Sequence, residues 1–311
     1  MTTWQLTTPV AFIIFNRPDT TRRVFEMIRQ AQPPKLLVIA DGARENHPSD
    51  RQNCAATKAI IAEVDWHCEV ITNYSDRNLG CRDRLASGLD WVFEQVPEAI
   101  ILEDDCLPHP SFFRFCEELL LKYRNDNRIM HIGGNNFQMQ KNRTNDSYYF
   151  SRYNHCWGWA SWRRAWQHYD VDMKLWNLIK DGDWLQDILQ DRRSVKEWNH
   201  NFQKIYDLIT NSWDYQWTFA CWIQSSLSIL PNENLVSNIG FNSGGTHTFR
   251  KNLLAELPTY PMQFPLDHPD TMIRDYQADS YTQNLLFSHS WIAKLRRKLW
   301  ISKNRNIFQT S

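Results

Sequence analysis

The sequence predicts an α/β protein: a mostly parallel sheet with flanking helices, followed by a Trp-rich helical region and a basic C-terminal segment. Three observations predict it. Four short apolar runs alternate with helix-length stretches over roughly the first 100 residues, the signature of right-handed βαβ units. The fourth run, Ile100-Ile101-Leu102, ends abruptly on three acids, Glu103-Asp104-Asp105. Beyond it the composition changes, and ten of the 15 Trp lie between Trp157 and Trp222.

Val10 to Phe15 is apolar and β-branched enough for a buried strand, and Asn16-Arg17-Pro18 breaks it. Asp19 can cap a helix whose apolar face is Val24, Met27, Ile28 and Ala31, and Pro33-Pro34 stop it. Leu36 to Ala40 is the second strand, ending at Asp41-Gly42. A charged loop and a helix from about Ser49 to Val64 follow. Cys68 to Thr72 is the third strand. Asn78-Leu79-Gly80 turns into a helix through Leu85, Leu89, Val92 and Phe93, which leads to the acidic strand. Pro108 and Pro110 break the chain before a helix from Phe112 to Tyr123. Short strands are predicted at Arg128–Ile132, Tyr148–Phe150, Ser228–Leu230 and Leu235–Val236. Trp159, Trp162 and Trp166 are spaced as one buried helix face. Pro258 to Pro269 is a Pro-rich connector to the C-terminal segment.

The 311 residues carry 35 basic and 35 acidic side chains, so no global bias points to nucleic acid. The balance hides an asymmetry. No acid follows Asp279, while Lys294, Arg296, Arg297, Lys298, Lys303 and Arg305 do, leaving 29 basic against 35 acidic groups before them. Seven Cys without a C-x-x-C imply neither a disulfide framework nor a zinc site and fit a reducing compartment. Met1 to Pro9 does not read as a signal peptide, and no stretch approaches the ~20 apolar residues of a membrane span. A cytoplasmic protein is expected.

Three adjacent carboxylates repel one another, so a fold that gathers them at a strand end commonly holds a cation. Carboxylate oxygens suit Mg²⁺ or Mn²⁺, and open α/β sheets bind ligands at the carboxyl ends of strands. The competing reading is an acidic surface loop. The turn after the first strand has no glycine, against a dinucleotide site, and no phosphate-binding G-x-x-x-x-G-K-[ST] occurs.

Taken together, strand-Asn16-Arg17-Pro18, strand-Asp41-Gly42, Asn78-Leu79-Gly80-Cys81-Arg82 and strand-Glu103-Asp104-Asp105 resemble the GT-A fold of nucleotide-sugar glycosyltransferases. Glu103-Asp104-Asp105-Cys106-Leu107 with Pro110-Ser111-Phe112-Phe113 is similar to a segment of the N-acetylglucosaminyltransferase I group. Adding Trp157-Gly158-Trp159-Ala160, Trp213-Asp214-Tyr215-Gln216-Trp217 and Asn238-Ile239-Gly240-Phe241 with Thr246-His247-Thr248, the chain resembles bacterial glycosyltransferases of the hemolysin HlpA-like type over about residues 9 to 250.

The resemblance implies roles. Asp105 matches the ligand of the Mn²⁺ or Mg²⁺ that bridges the donor's phosphates, while Glu103 and Asp104 match positions that hold ribose and sugar. Asp41 sits where the family contacts uracil, though Asp-Gly is also a common turn. Asn16 and Arg17 fall on nucleotide-contacting positions, with a helix-cap neighbour as the other reading of Arg17. Arg82 opens a helix where a basic group can meet phosphate, or is an ordinary surface Arg. Asp214 aligns with the family's catalytic base and stands between Trp213 and Tyr215, an aromatic setting that suits one. The family's second acid is Tyr215 here, and helix capping is the alternative role for Asp214. His247, in a Gly-rich loop, is the second candidate metal ligand or a plain loop residue. Trp157 or an aromatic near Trp213 is a candidate platform for an acceptor sugar.

The expectation is a metal-dependent, inverting glycosyltransferase that moves a sugar from a UDP-sugar to a glycan or lipid-linked hydroxyl acceptor, as in polysaccharide biosynthesis. Residues 1–257 would form the catalytic domain, with a nucleotide-sugar half (1–135) and an acceptor half (136–257); residues 258–311 would be an extension. The alternatives are a sugar-1-phosphate nucleotidyltransferase, which should carry a Gly-rich basic loop after the first strand, and a non-catalytic carbohydrate-binding protein on the same fold. In the tail, Leu286, Phe287, Trp291, Ile292, Leu295 and Leu299 recur at helical spacing among basic residues. That pattern fits peripheral docking on the inner membrane surface, or packing against the domain.

Overall fold

A computed structural model of the chain describes residues 4–139, 141–242 and 254–288. The first half is built as the periodicity predicts: β1 (Val10–Ile14), α1 (Pro18–Ala31), β2 (Lys35–Ala40), α2 (Asp50–Ile61), β3 (Glu69–Tyr74), α3 (Gly80–Gln95) and β4 (Glu98–Glu103). Pro18 takes the first helical position of α1, where its missing N–H costs nothing, and the cap position falls to Arg17 rather than Asp19. Gly80 opens α3 at φ +80°, which a side chain would resist. Then come β5 (Cys106–Pro108), α4 (Ser111–Lys122), β6 (Ile129–Gly133), β7 (Tyr148–Ser151) and β8 (Trp159–Trp162). Short helices α5 (Arg163–Trp166), α6 (Trp176–Ile179) and α7 (Trp184–Leu189) precede α8 (Arg192–Tyr206) and α9 (Asp214–Ile223). They are followed by β9 (Leu227–Pro231), β10 (Val236–Asn238) and α10 (Tyr276–Thr282).

Among the described residues, eight strands form one sheet in the order β3-β2-β1-β4-β8-β6-β9-β7, and β5 pairs with β10 in a small second ladder. β3, β2, β1 and β4 are parallel, β8 runs antiparallel between β4 and β6, β9 is parallel to β6, and β7 closes the far edge antiparallel. The result is a mostly parallel mixed sheet with helices on its faces. Between β1 and β4 the connections part: the chain leaves β1 toward β2 but reaches β4 from β3. The two strands lie side by side with Ile13 opposite Glu103. A crevice outside the carboxyl ends of such a pair is the ligand position of open α/β sheets.

The Trp-rich region corrects one expectation. Trp159 and Trp162 lie on strand β8, not on a helix, and only Trp166 is helical. Side chains three apart on a strand point to opposite faces. The Trp162 indole donates to the Leu120 carbonyl under α4, while Trp159 stacks on Trp213 with ring centroids 5.8 Å apart. A strand covered on both faces needs apolar residues at both parities, so its spacing imitated a helix. All three rings are buried.

The described residues from 259 to 288 pack on this frame. Asp279 of α10 is fully buried and accepts from Ser151 Oγ at 2.6 Å and Arg152 Nε at 3.0 Å, while Arg274 stands 3.3 Å away. Among the described residues no helix is long and apolar enough to cross a membrane.

Candidate active site

The last residue of β4 and the two that follow place the three acids at the β1–β4 switch point. Across from them Arg17 leaves β1: its guanidinium sits 2.5 Å from Asp105 Oδ2 and 3.5 Å from Asp104 Oδ1. The Phe15 amide donates to the other Asp104 oxygen at 2.9 Å. Burial pushes Glu103 well above the ordinary carboxyl range, reinforced by the charges of Asp105 and Asp104. Asp104 is pushed up to about 7, by burial first and then Asp105, with Arg17 and the Phe15 amide working against the shift. Burial alone would lower Arg17; Asp104 and Asp105 overcome it and raise its pKa. The cluster carries more carboxyl groups than the one guanidinium can neutralise.

The β5–β10 ladder brings a second wall. Asn238 lies opposite Cys106, its amide 3.4 Å from Asp105 Oδ1, and the Ile239 amide donates to the Asp105 carbonyl at 2.8 Å. Gly240 then passes so close that a Cβ there would stand 2.2 Å from Asp105 Oδ2. Among the described residues no group of three or more His, Cys, Asp or Glu side chains is gathered as a metal cage. A hard cation that takes most of its ligands from a diphosphate uses only one or two protein carboxylates. Asp105 fits that use: it is a hard oxygen donor at the carboxyl end of β4, with Gly240 packed against it. His247 lies outside the described residues.

Asp214 is the first residue of α9 and accepts a hydrogen bond from the Ser212 hydroxyl. Its neighbour Trp213 is clamped on Trp159, and Tyr215 packs on Trp198. Although Asp214 comes from the Trp-rich half, its charge acts on Glu103. The Cys81 thiol, at the start of α3, is pushed up to about 12 by its own burial and then by Glu103, Asp214 and Asp105 together. Cys156 is raised by burial and then by Asp214 and Glu103.

The remaining predicted residues divide. The Asn16 amide donates to Asp50 at 2.8 Å, and Asp50 is held by Arg44 Nε at 2.6 Å. Asp41 is buried, and its two oxygens accept from the amides of Gly42, Leu79 and Gly80 and from Asn78 Nδ2, all within 3.2 Å. It binds the end of β2 to the turn that launches α3. Arg82 donates to the Val171 carbonyl at 3.0 Å and pairs with Asp172 at 2.8 Å, tying α3 to the Trp-rich region. Sequence reasoning missed Arg44, Asp50, Ser212, Asn238 and Gly240 as parts of the site. Only the motif Asn238-Ile239-Gly240-Phe241 offered a signal for any of them.

No protein-family model matches the chain, and no curated protein matches its sequence. Solved structures do. A mannosyltransferase from Pyrobaculum calidifontis, in complex with GDP-Man and Mn²⁺, is 10% identical with a TM-score of 0.37, covering 72% of this chain and 70% of its own. Apo mouse xyloside xylosyltransferase 1 is 12% identical with a TM-score of 0.33, over 69% of this chain and 81% of its own. An apo UDP-glucose pyrophosphorylase is 8% identical with a TM-score of 0.37, over 72% of this chain and 90% of its own. Structures similar in layout thus include glycosyltransferases and a nucleotidyltransferase.

Proposed function

We propose that the chain is a glycosyltransferase that moves a sugar from a UDP-sugar to a hydroxyl of a glycan or lipid-linked acceptor, with divalent metal assistance and inversion at the anomeric carbon. The observation that carries the reading is the acid cluster at the end of β4, where Arg17 stands 2.5 Å from Asp105 and Gly240 packs against that carboxylate. Asp105, with Arg17 and Asp104, stands at the β1–β4 switch point, and Asp214 opens helix α9 in the Trp-rich half.

Each residue then has work of its own. Asp105 would hold Mn²⁺ or Mg²⁺, which when bound supplies Lewis-acid stabilisation of the departing nucleoside diphosphate. Glu103 and Asp104 are set to meet donor hydroxyls, whose O–H groups carboxyl oxygens can accept. Asn16 and Arg17 line the nucleotide side, and Asp41 and Arg82 act through the α3 turn that they fasten. Asp214 takes the proton of the acceptor hydroxyl as that oxygen attacks. One base and one displacement give inversion. The similarity of the acid motif to the N-acetylglucosaminyltransferase I group supports this assignment.

A panel of UDP-, GDP- and dTDP-sugars tests it, read by metal-dependent donor hydrolysis and by thermal stabilisation. UDP-sugars should stabilise the protein with Mn²⁺ and release UDP. Asp105→Ala should abolish transfer and the Mn²⁺-dependent part of UDP binding with the fold intact; near-wild-type activity of that variant in chelator-treated buffer would sink the metal assignment. Release of pyrophosphate from UTP and a sugar 1-phosphate would instead identify a nucleotidyltransferase. Indifference to every nucleotide and metal would identify a carbohydrate-binding protein.

A further inference from the structure

The Arg17 side chain holds the acid cluster together from one end only. Its backbone is pinned: the Arg17 carbonyl accepts from the Thr21 amide at 3.0 Å and the Thr21 hydroxyl at 2.7 Å, at the cap of α1. Among the described residues, its guanidinium bonds only to Asp105 and Asp104. A third of the side chain remains exposed. The contact that matters is with Asp105 Oδ2, the oxygen beside Gly240. A guanidinium and a dication cannot both sit on that oxygen without strong mutual repulsion. A diphosphate, by contrast, offers the guanidinium fork paired oxygens that suit it at least as well as a carboxylate does.

We infer that Arg17 is an exchangeable counter-ion: it rests on Asp105 in the free protein and transfers to the diphosphate of the donor when a divalent metal takes its place on that carboxylate. The inference rests on the glycosyl-transfer reading and adds to it a positioning residue that couples two ligands. The consequence is thermodynamic. Metal alone must displace Arg17 into water and binds weakly. Metal with a nucleoside diphosphate gives Arg17 a new partner, so each ligand strengthens the other by the same factor.

The test is Mn²⁺ titration of the full chain, by calorimetry and by electron paramagnetic resonance of free Mn²⁺, with and without saturating UDP and with protein-free controls. Wild type should bind Mn²⁺ about tenfold more tightly with UDP than without. In Arg17→Ala, and in Arg17→Gln, which keeps most of the side-chain length should the first variant fold poorly, Mn²⁺ alone should bind about tenfold more tightly than in wild type, and UDP should add little. If wild type binds both ligands but neither variant gains affinity for Mn²⁺ alone, the exchange is refuted and the functional reading stands. A gain of equal size with and without UDP also refutes it, because simple removal of a positive charge would explain that result. If wild type binds neither Mn²⁺ nor UDP, the functional reading fails and this inference fails with it.

Discussion

Gly240 lies against Asp105 so closely that even a methyl group on it would fall 2.2 Å from the carboxylate oxygen Oδ2. Gly240→Ala therefore has to displace either the carboxylate or the turn after β10. The expected result is at least a tenfold loss of Mn²⁺-dependent UDP binding, with a stability cost of about 1–3 kcal/mol typical of overpacking. Mn²⁺ and UDP titrations beside urea unfolding check this. Unchanged binding would mean that Asp105 can move aside without consequence.

Asp214→Asn removes a proton acceptor while keeping size and the hydrogen bond from Ser212. It should lower kcat by ~10²–10⁴ with little change in donor affinity, since it acts on the acceptor. Steady-state kinetics with calorimetry on UDP separate the two effects. Parallel loss of UDP binding would make Asp214 a structural or donor-side residue.

Acid should reach the wall behind Asn16. Hydrogen bonds from the Arg44 side chain hold Asp50 at about 2, against an ordinary 3.8, with Asn16 and the Arg44 amide adding to the effect and burial opposing it. A carboxyl with a depressed folded pKa stabilises fully above its unfolded pKa, and that stability is lost as pH falls from about 4 to about 2. Discounted for the partial exposure of Arg44, the contribution is about 1–2 kcal/mol. Urea unfolding of wild type and Asp50→Asn should show a gap at pH 7 that closes over that window. A gap independent of pH would show that Asp50 contributes through shape rather than charge.

The basic tail lies outside the described residues beyond Ser288, and its proposed role is membrane contact. With about 1 kcal/mol per basic group near an anionic surface, its six cations would suffice for reversible docking. Co-sedimentation with anionic vesicles should fall with salt and vanish on truncation after Ser288. Equal behaviour of the full and truncated chains would leave the tail without a membrane role.

The first half of the fold was legible because its signals are local. Apolar runs mark β1 to β4, the Asn78-Leu79-Gly80 turn marks a helix start, and the acids mark a strand end at residue 103. Asp214 was readable as a helix start for the same reason. The Trp159–Trp162 strand was not, because burial on both faces erases the two-residue alternation that separates strand from helix. Nor was the inner wall of the site. Asp105 meets Asn238 and Gly240 only because β5 pairs with β10, segments some 130 residues apart that carry no local mark of their partnership. Arg17 could be read as a residue near a nucleotide, but its rest position on Asp105 depends on β1 and β4 being neighbours.

Strand β8 has a consequence for how the chain can be cut and made. It fills the gap between β4 and β6, so the edge of β4 away from β1 stays bare until residue 162 has been synthesised and has found its place. A fragment ending near residue 135 would carry that apolar edge into solution, an open template for pairing with other copies. The nascent chain passes through the same hazard until the tryptophan-bearing strand arrives.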